Sequence, residues 1–177
     1  MLSFILRTEK ICIVVAMLLV CPMWSASSAW ADKPNLYTTS DVLEVDTCAT
    51  VWLIKKFVNP LAVFAFYQEG TFSPEGTAFD TPYAEWQRGH NASTFEVIMA
   101  KKKITDKRLK ELAAIIHDIE INYWGKKRLP VTRKIEQEVV KILETSEDNQ
   151  QKVLGCLDYF DALFNTLKQE AQEEVRR

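Results

Sequence analysis

The 177-residue chain has only two histidines, His90 and His117, and four cysteines, none of them in a C-x-x-C pair. Without that pair, neither a dithiol redox centre nor a zinc knuckle has the residues it needs. No charge excess marks the chain as basic: 22 Lys and Arg stand against 24 Asp and Glu, a net charge of −2, so no nucleic-acid partner is expected. Internal repeats and low-complexity tracts are also missing. The apolar run over residues 11–24 falls short of the ~20 residues that a membrane-spanning helix needs.

That run has a different meaning. It follows Arg7 and Lys10 and leads into small residues ending in Ala29-Trp30-Ala31, the pattern of a secretory signal peptide cut after Ala31. An uncleaved anchor is the alternative. A lipoprotein site at "LLVC" is disfavoured by the bulky Val20 before Cys21. The expectation is a periplasmic or secreted protein with no stable membrane insertion after cleavage. Cys12 and Cys21 leave with the leader, so Cys48 and Cys156 meet an oxidising compartment, where they either pair or remain buried thiols in separate helices.

The remaining chain is long enough for one domain with a proper core. Residues 32–44 read as an extended lead-in, with a brief strand over 41–45. A core helix capped by Asp46 or Thr47 follows and runs to about Val58, where Asn59-Pro60 stops it. The aromatic, β-branched "AVFAFY" at residues 62–67 is a strand. Residues 68–93 form a long loop, functional by its length, with a short strand near Ala78-Phe79-Asp80. Ser93 or Thr94 caps a short helix, and Thr105 or Asp106 caps another that reaches about Ile121. After a turn over 125–131 come two helices, about 132–144 and 149–174, and a fraying tail over 171–177. The fold class is a predominantly helical α+β domain, about five helices around a two- or three-strand β element.

The chemistry gathers at "IIHDIE". At ~100° per residue, Leu109, Leu112, Ile115, Ile116 and Ile119 form the apolar stripe of that helix. His117 lies on a flank of the stripe, and Glu120, at i+3, can converge with it, whereas Asp118 lies on the far side. Imidazole and carboxylate at such spacing share a divalent metal readily. A hydrogen-bonded boundary histidine is the bland alternative. His90 sits in the long loop with Asp80, Glu85, Arg88 and Glu96 near it in sequence. Both histidines therefore stand beside acids, as a shared site would require. Trp52 reads as core, and "KKK" at 101–103 and "KKR" at 126–128 as solvated helix ends.

Two families share parts of this pattern. His90, then His117-Asp118, then Asp158 or Asp161 resembles the H...HD...D order of metal-dependent phosphohydrolases, which would make His90, His117 and Asp118 catalytic-site ligands. A wider resemblance runs from Val45 to Leu167. "VDTCATVWLIKKFVNPLAVFAFY", "GTAFDTPYAEW", "GHNASTFEVIM", "LAAIIHDIE" and "GCLDYFDALFNTL" are similar, in that order, to the chromate-resistance domain found in exported proteins and in chromate-responsive regulators. This places the domain at residues 45–170. The resemblance implies a part in the chromate response, with a metal ion or small anion as partner. His90, Glu96, His117, Asp118 and Glu120 would be the metal set, and Asp46, Trp52 and Asp80 further ligand-site candidates. Two departures stand out: the family's cysteine two residues before the tryptophan is Thr50 here, and its two arginines are Lys55 and Lys56, which lack the bidentate grip of guanidinium.

Overall fold

The segment "VDTCATVWL" carries one charged residue, Asp46, and offers water no polar face. It forms helix α1 (Val45–Leu53), all nine residues of which are buried. In the computed structural model, which describes residues 34–71, 75–122 and 124–176, α1 is the axis of the domain. The expected leader, residues 1–31, lies outside the described residues. No described helix is long and apolar enough to cross a membrane.

Strand β1 (Leu36–Ser40) precedes α1, and β2 (Val63–Tyr67) follows it. The two pair in parallel from Leu36 opposite Val63 to Ser40 opposite Tyr67, so α1 is the crossover of a β-α-β unit. The two-residue β3 (Thr77–Ala78) pairs in parallel with the other edge of β1, giving the order β2-β1-β3. The strand expected over residues 41–45 does not form; the strand lies just before it. As the middle strand of a parallel sheet β1 is covered on both faces, and burial of Tyr37, Thr38, Thr39 and Ser40 replaces the alternation that would have marked it. The strand at 62–67 is borne out.

The helices close around α1. They are α2 (Thr94–Lys101), α3 (Lys107–Glu120), α4 (Thr132–Glu144) and α5 (Asn149–Arg176), and each packs on α1. The fold class is therefore as expected: predominantly helical α+β, a single domain with five helices and a three-strand parallel sheet. Capping follows local chemistry. The Ser93 side chain accepts from Glu96 N at 3.2 Å and Glu96 accepts from Ser93 N at 2.8 Å, a reciprocal box. Asp106 accepts from Arg108 N and Leu109 N at the start of α3. In α1, neither Asp46 nor Thr47 is the cap: Glu44 holds that position, its N–H donating to Thr47 Oγ1. The helix then widens into a π-helical turn (Ile54–Val58) before Asn59 N closes on Ile54 O at 2.8 Å.

Trp52 is 1% exposed, packed among Phe57, Phe160 and Phe164, and its Nε1 donates to Asp161 at 2.8 Å. Lys56 pairs with the same aspartate at 2.6 Å, and Lys55 donates to Ala62 O. The departure lysines thus tie α1 to its surroundings.

Cys48 and Cys156, which the sequence leaves open, form a disulfide joining α1 to α5, with Cα atoms 5.4 Å apart. The bridge closes a sequence separation of 108 residues. In the chain-entropy model a loop of this size gives about 4–5 kcal/mol of stability. We predict that Cys48→Ala/Cys156→Ala lowers the unfolding free energy by that order, measured by urea titration. A double variant within about 1 kcal/mol of the parent would show that the bridge contributes little.

Candidate functional site

Where a parallel strand ends and the next helix begins, chain directions leave backbone groups and side chains facing a crevice. Here the carboxyl ends of β1, β2 and β3 and the start of α1 border one cavity of about 720 Å³, with Ser40, Tyr67, Ala78 and Thr47 in its wall. The loop after β3 completes it with Asp80, Tyr83 and Arg88.

Behind this wall lies a network of buried acids. Asp46, fully buried, accepts from Thr94 N at 2.6 Å and Phe95 N at 3.0 Å. It thus caps the first turn of α2 from the first turn of α1, where an anion complements the helix dipole. Its own N–H donates to Glu120 Oε1 at 3.2 Å. Asp80 accepts from Thr47 Oγ1 at 2.5 Å and from Thr94 Oγ1 at 2.7 Å. Its backbone is left-handed, φ 51°, a conformation uncommon outside glycine that aspartate adopts more readily than most residues and that its hydrogen bonds impose here. Here the imposing bonds are those two hydroxyls and Asp80 N to Trp86 O.

Arg88 stands at the centre. Its Nη2 donates to Glu44 at 2.6 Å and to Asp80 at 3.3 Å, and its Nη1 to Glu120 at 3.4 Å. One guanidinium therefore gathers the N-cap of α1, the loop after β3 and the last residue of α3. Burial works against its charge, yet Asp80, Glu44 and Glu120 together hold its pKa above the usual value. One cation does not balance the acids around it. Burial, then Asp80 and Glu120, pushes the Asp46 carboxyl well above the ordinary range against the two backbone N–H bonds. Burial likewise raises Asp80, and it raises Glu120 to about 7 despite Arg88.

The sequence-predicted residues separate into three places. His117 Nδ1 meets Glu96 Oε2 at 3.0 Å, beside the Ser93 cap of α2. Glu120, on the same side of α3, turns to Arg88 and Asp46. Asp118 leaves on the opposite side, where it accepts from Asn122 Nδ2, Arg128 N, Leu129 N and Thr132 Oγ1. Burial would raise its pKa, but these donors hold it far below the carboxylate range. It pins the turn before α4. His90 is exposed in the turn between the bridged residues Gly89 and Ala92.

The five proposed metal ligands are therefore not gathered: among the described residues no group of three His, Cys, Asp or Glu side chains is placed to hold a metal ion. The acids that do converge already enclose a guanidinium, and Asp118 has its oxygens filled by protein donors. These residues do not fit a resident divalent ion. The phosphohydrolase order gains no support either, since Asp158 and His90 are exposed at the surface and Asp161 is occupied by Trp52 and Lys56.

Of the remaining site residues, Glu44 is not singled out by sequence patterns, while Thr47 and Thr94 read there only as helix caps and Arg88 only as a neighbour of His90. Arg88 has a visible signal, as the only Lys or Arg between residues 68 and 93 among four acids.

A family model described as ChrB, C-terminal domain, matches residues 37–167. The chain belongs to this family. Membership in the ChrB C-terminal family gives the protein a function related to chromate resistance. The match begins in β1 and ends in α5, so it spans every element that borders the cavity. No curated protein and no solved structure matches the chain.

Two predictions test the electrostatics. A carboxyl whose pKa is raised on folding binds more protons folded than unfolded. Stability is then greatest at or below the ordinary glutamate value and declines as pH rises to about 7, where Glu120 ionises. Glu120→Gln is expected to flatten that decline between about pH 5 and 8 by a few kcal/mol at most. Parallel slopes for parent and variant in denaturant titrations would refute the assignment. Asp118→Ala strands several buried donors and should cost about 3 kcal/mol or more of stability. A neutral effect on the melting temperature would contradict its anchoring role.

Proposed function

We propose that this ChrB C-terminal family member contributes to chromate tolerance as an exported binding protein, holding a small ligand in the cavity at the strand ends. The observation that carries the reading is the cavity itself: about 720 Å³, within the range of small-molecule sites and at the strand ends where open α/β sheets bind ligands. The bonded network of Asp46, Asp80, Arg88 and Glu120 fixes its wall, as a preorganised site requires. Chromate is a poor candidate for the ligand. Glu44, Asp80 and Glu120 surround the single Arg88, and a dianion entering there meets a net negative wall.

Export has two supports: the signal-peptide pattern ending at Ala31, and the Cys48–Cys156 bridge, a feature of oxidising compartments. N-terminal sequencing of the protein from its host should start at Asp32. A start at Met1 would remove the export part of the reading.

The binding part is tested by blocking the cavity. Gln87 lines it and is exposed, so Gln87→Trp fills space there without entering the core. The expected result is reduced chromate tolerance of the producing cells with an unchanged melting temperature. Full tolerance in cells producing the folded variant would reject a role for the cavity. Mn, Fe, Zn and Ni ions added to the purified protein are expected to leave the melting temperature unchanged. A bound ligand at about a hundred times its Kd would by contrast stabilise the protein by about 2.7 kcal/mol.

A further inference from the structure

The lining of the cavity says more about its occupant than its volume does. Three acids face it, Glu44, Glu69 and Asp80, against one base, Arg88. Arg88 is already shared among Glu44, Asp80 and Glu120, so it has little charge left to offer a ligand. Among the described residues Glu69 has no cationic partner: its backbone N–H bonds Asp41, while its carboxylate stays exposed.

Two tyrosines share that lining. The Tyr67 hydroxyl is held by Thr81 Oγ1 at 2.8 Å, which ties the end of β2 to the loop after β3. Tyr83 is 91% exposed, and its backbone is left-handed at φ 69°. For a bulky aromatic residue that conformation is a true outlier, and an exposed ring gains no burial to offset it. The loop thus carries two left-handed residues, Asp80 and Tyr83, three positions apart, and both line the cavity.

Carboxylates beside aromatic rings are the pairing that recognises organic cations, through charge and through the ring quadrupole. We propose that the cavity takes a small organic cation, an amine or guanidinium on a short apolar body, with Glu69 and Glu44 as counter-charges and Tyr83 as the aromatic contact at the rim. Inorganic anions are repelled by the same groups. This rests on the reading of the cavity as a ligand site and names the class of ligand.

The test uses the full disulfide-bonded protein and isothermal titration with putrescine, agmatine and choline, and with glutarate, chromate and 1,4-butanediol as anionic and neutral controls. The cations are expected to bind and the controls not. Glu69→Gln and Tyr83→Ala should each weaken cation binding about fivefold, in line with exposed charge and cation–π contacts, without changing the melting temperature. Gln87→Trp should abolish it. If a control binds and the cations do not, the ligand class is wrong while the cavity reading stands. The ligand class is equally wrong if nothing binds but Gln87→Trp still lowers chromate tolerance. If the cations bind but Glu69→Gln and Tyr83→Ala leave affinity unchanged, the site lies elsewhere and the proposal fails. If nothing binds and Gln87→Trp keeps full tolerance, both readings fall together.

Discussion

Two backbone N–H groups at the start of α2 would lie buried and unpaired if Asp46 did not accept them. Orphan donors at a helix start need a partner, and here the partner comes from another helix, 48 residues before Thr94 in the chain. That pairing sets where α2 begins relative to α1. It therefore also sets where Thr94 reaches Asp80 and where Glu96 reaches His117. A buried carboxyl group is costly unless it is bonded on several sides. Asp46 meets the condition with Thr94, Phe95 and Thr50 as donors.

The same requirement explains Arg88. Acids from three separate parts of the chain converge because α1, α3 and the loop after β3 all meet at one edge of the domain. A single guanidinium suits that meeting, since its planar fork bonds several carboxylates at once while a lysine would offer a point charge. The balance remains incomplete, and the surplus shows as carboxyl groups raised by burial and mutual repulsion. Such groups cluster where a protein handles ligands or protons, although structural networks produce them as well.

Periodicity exposes α3 and its apolar stripe, and a mix of β-branched and aromatic residues exposes β2, because each carries its pattern in neighbouring residues. β1 is hidden, since "LYTTS" is half polar and its burial comes from two partner strands far along the chain. The family resemblance locates the right segments yet draws attention to histidines. The rotation of α3 correctly parts Asp118 from Glu120 but leaves open what covers the far face: the turn over residues 126–132 and α4 do so, and Asp118 is their anchor. Asp46 reads as the cap of its own helix because a cap looks local in sequence. Its real partners lie in α2, and no spacing rule links residues 46 and 94.

The bridge between Cys48 and Cys156 has one more meaning. It encloses the long loop, α2, α3 and α4 within a covalent ring. A protease that nicked an exposed turn inside that ring, at Tyr83 for example, would leave one molecule whose two pieces stay joined through α1 and α5. A cut there opens the chain without releasing a fragment.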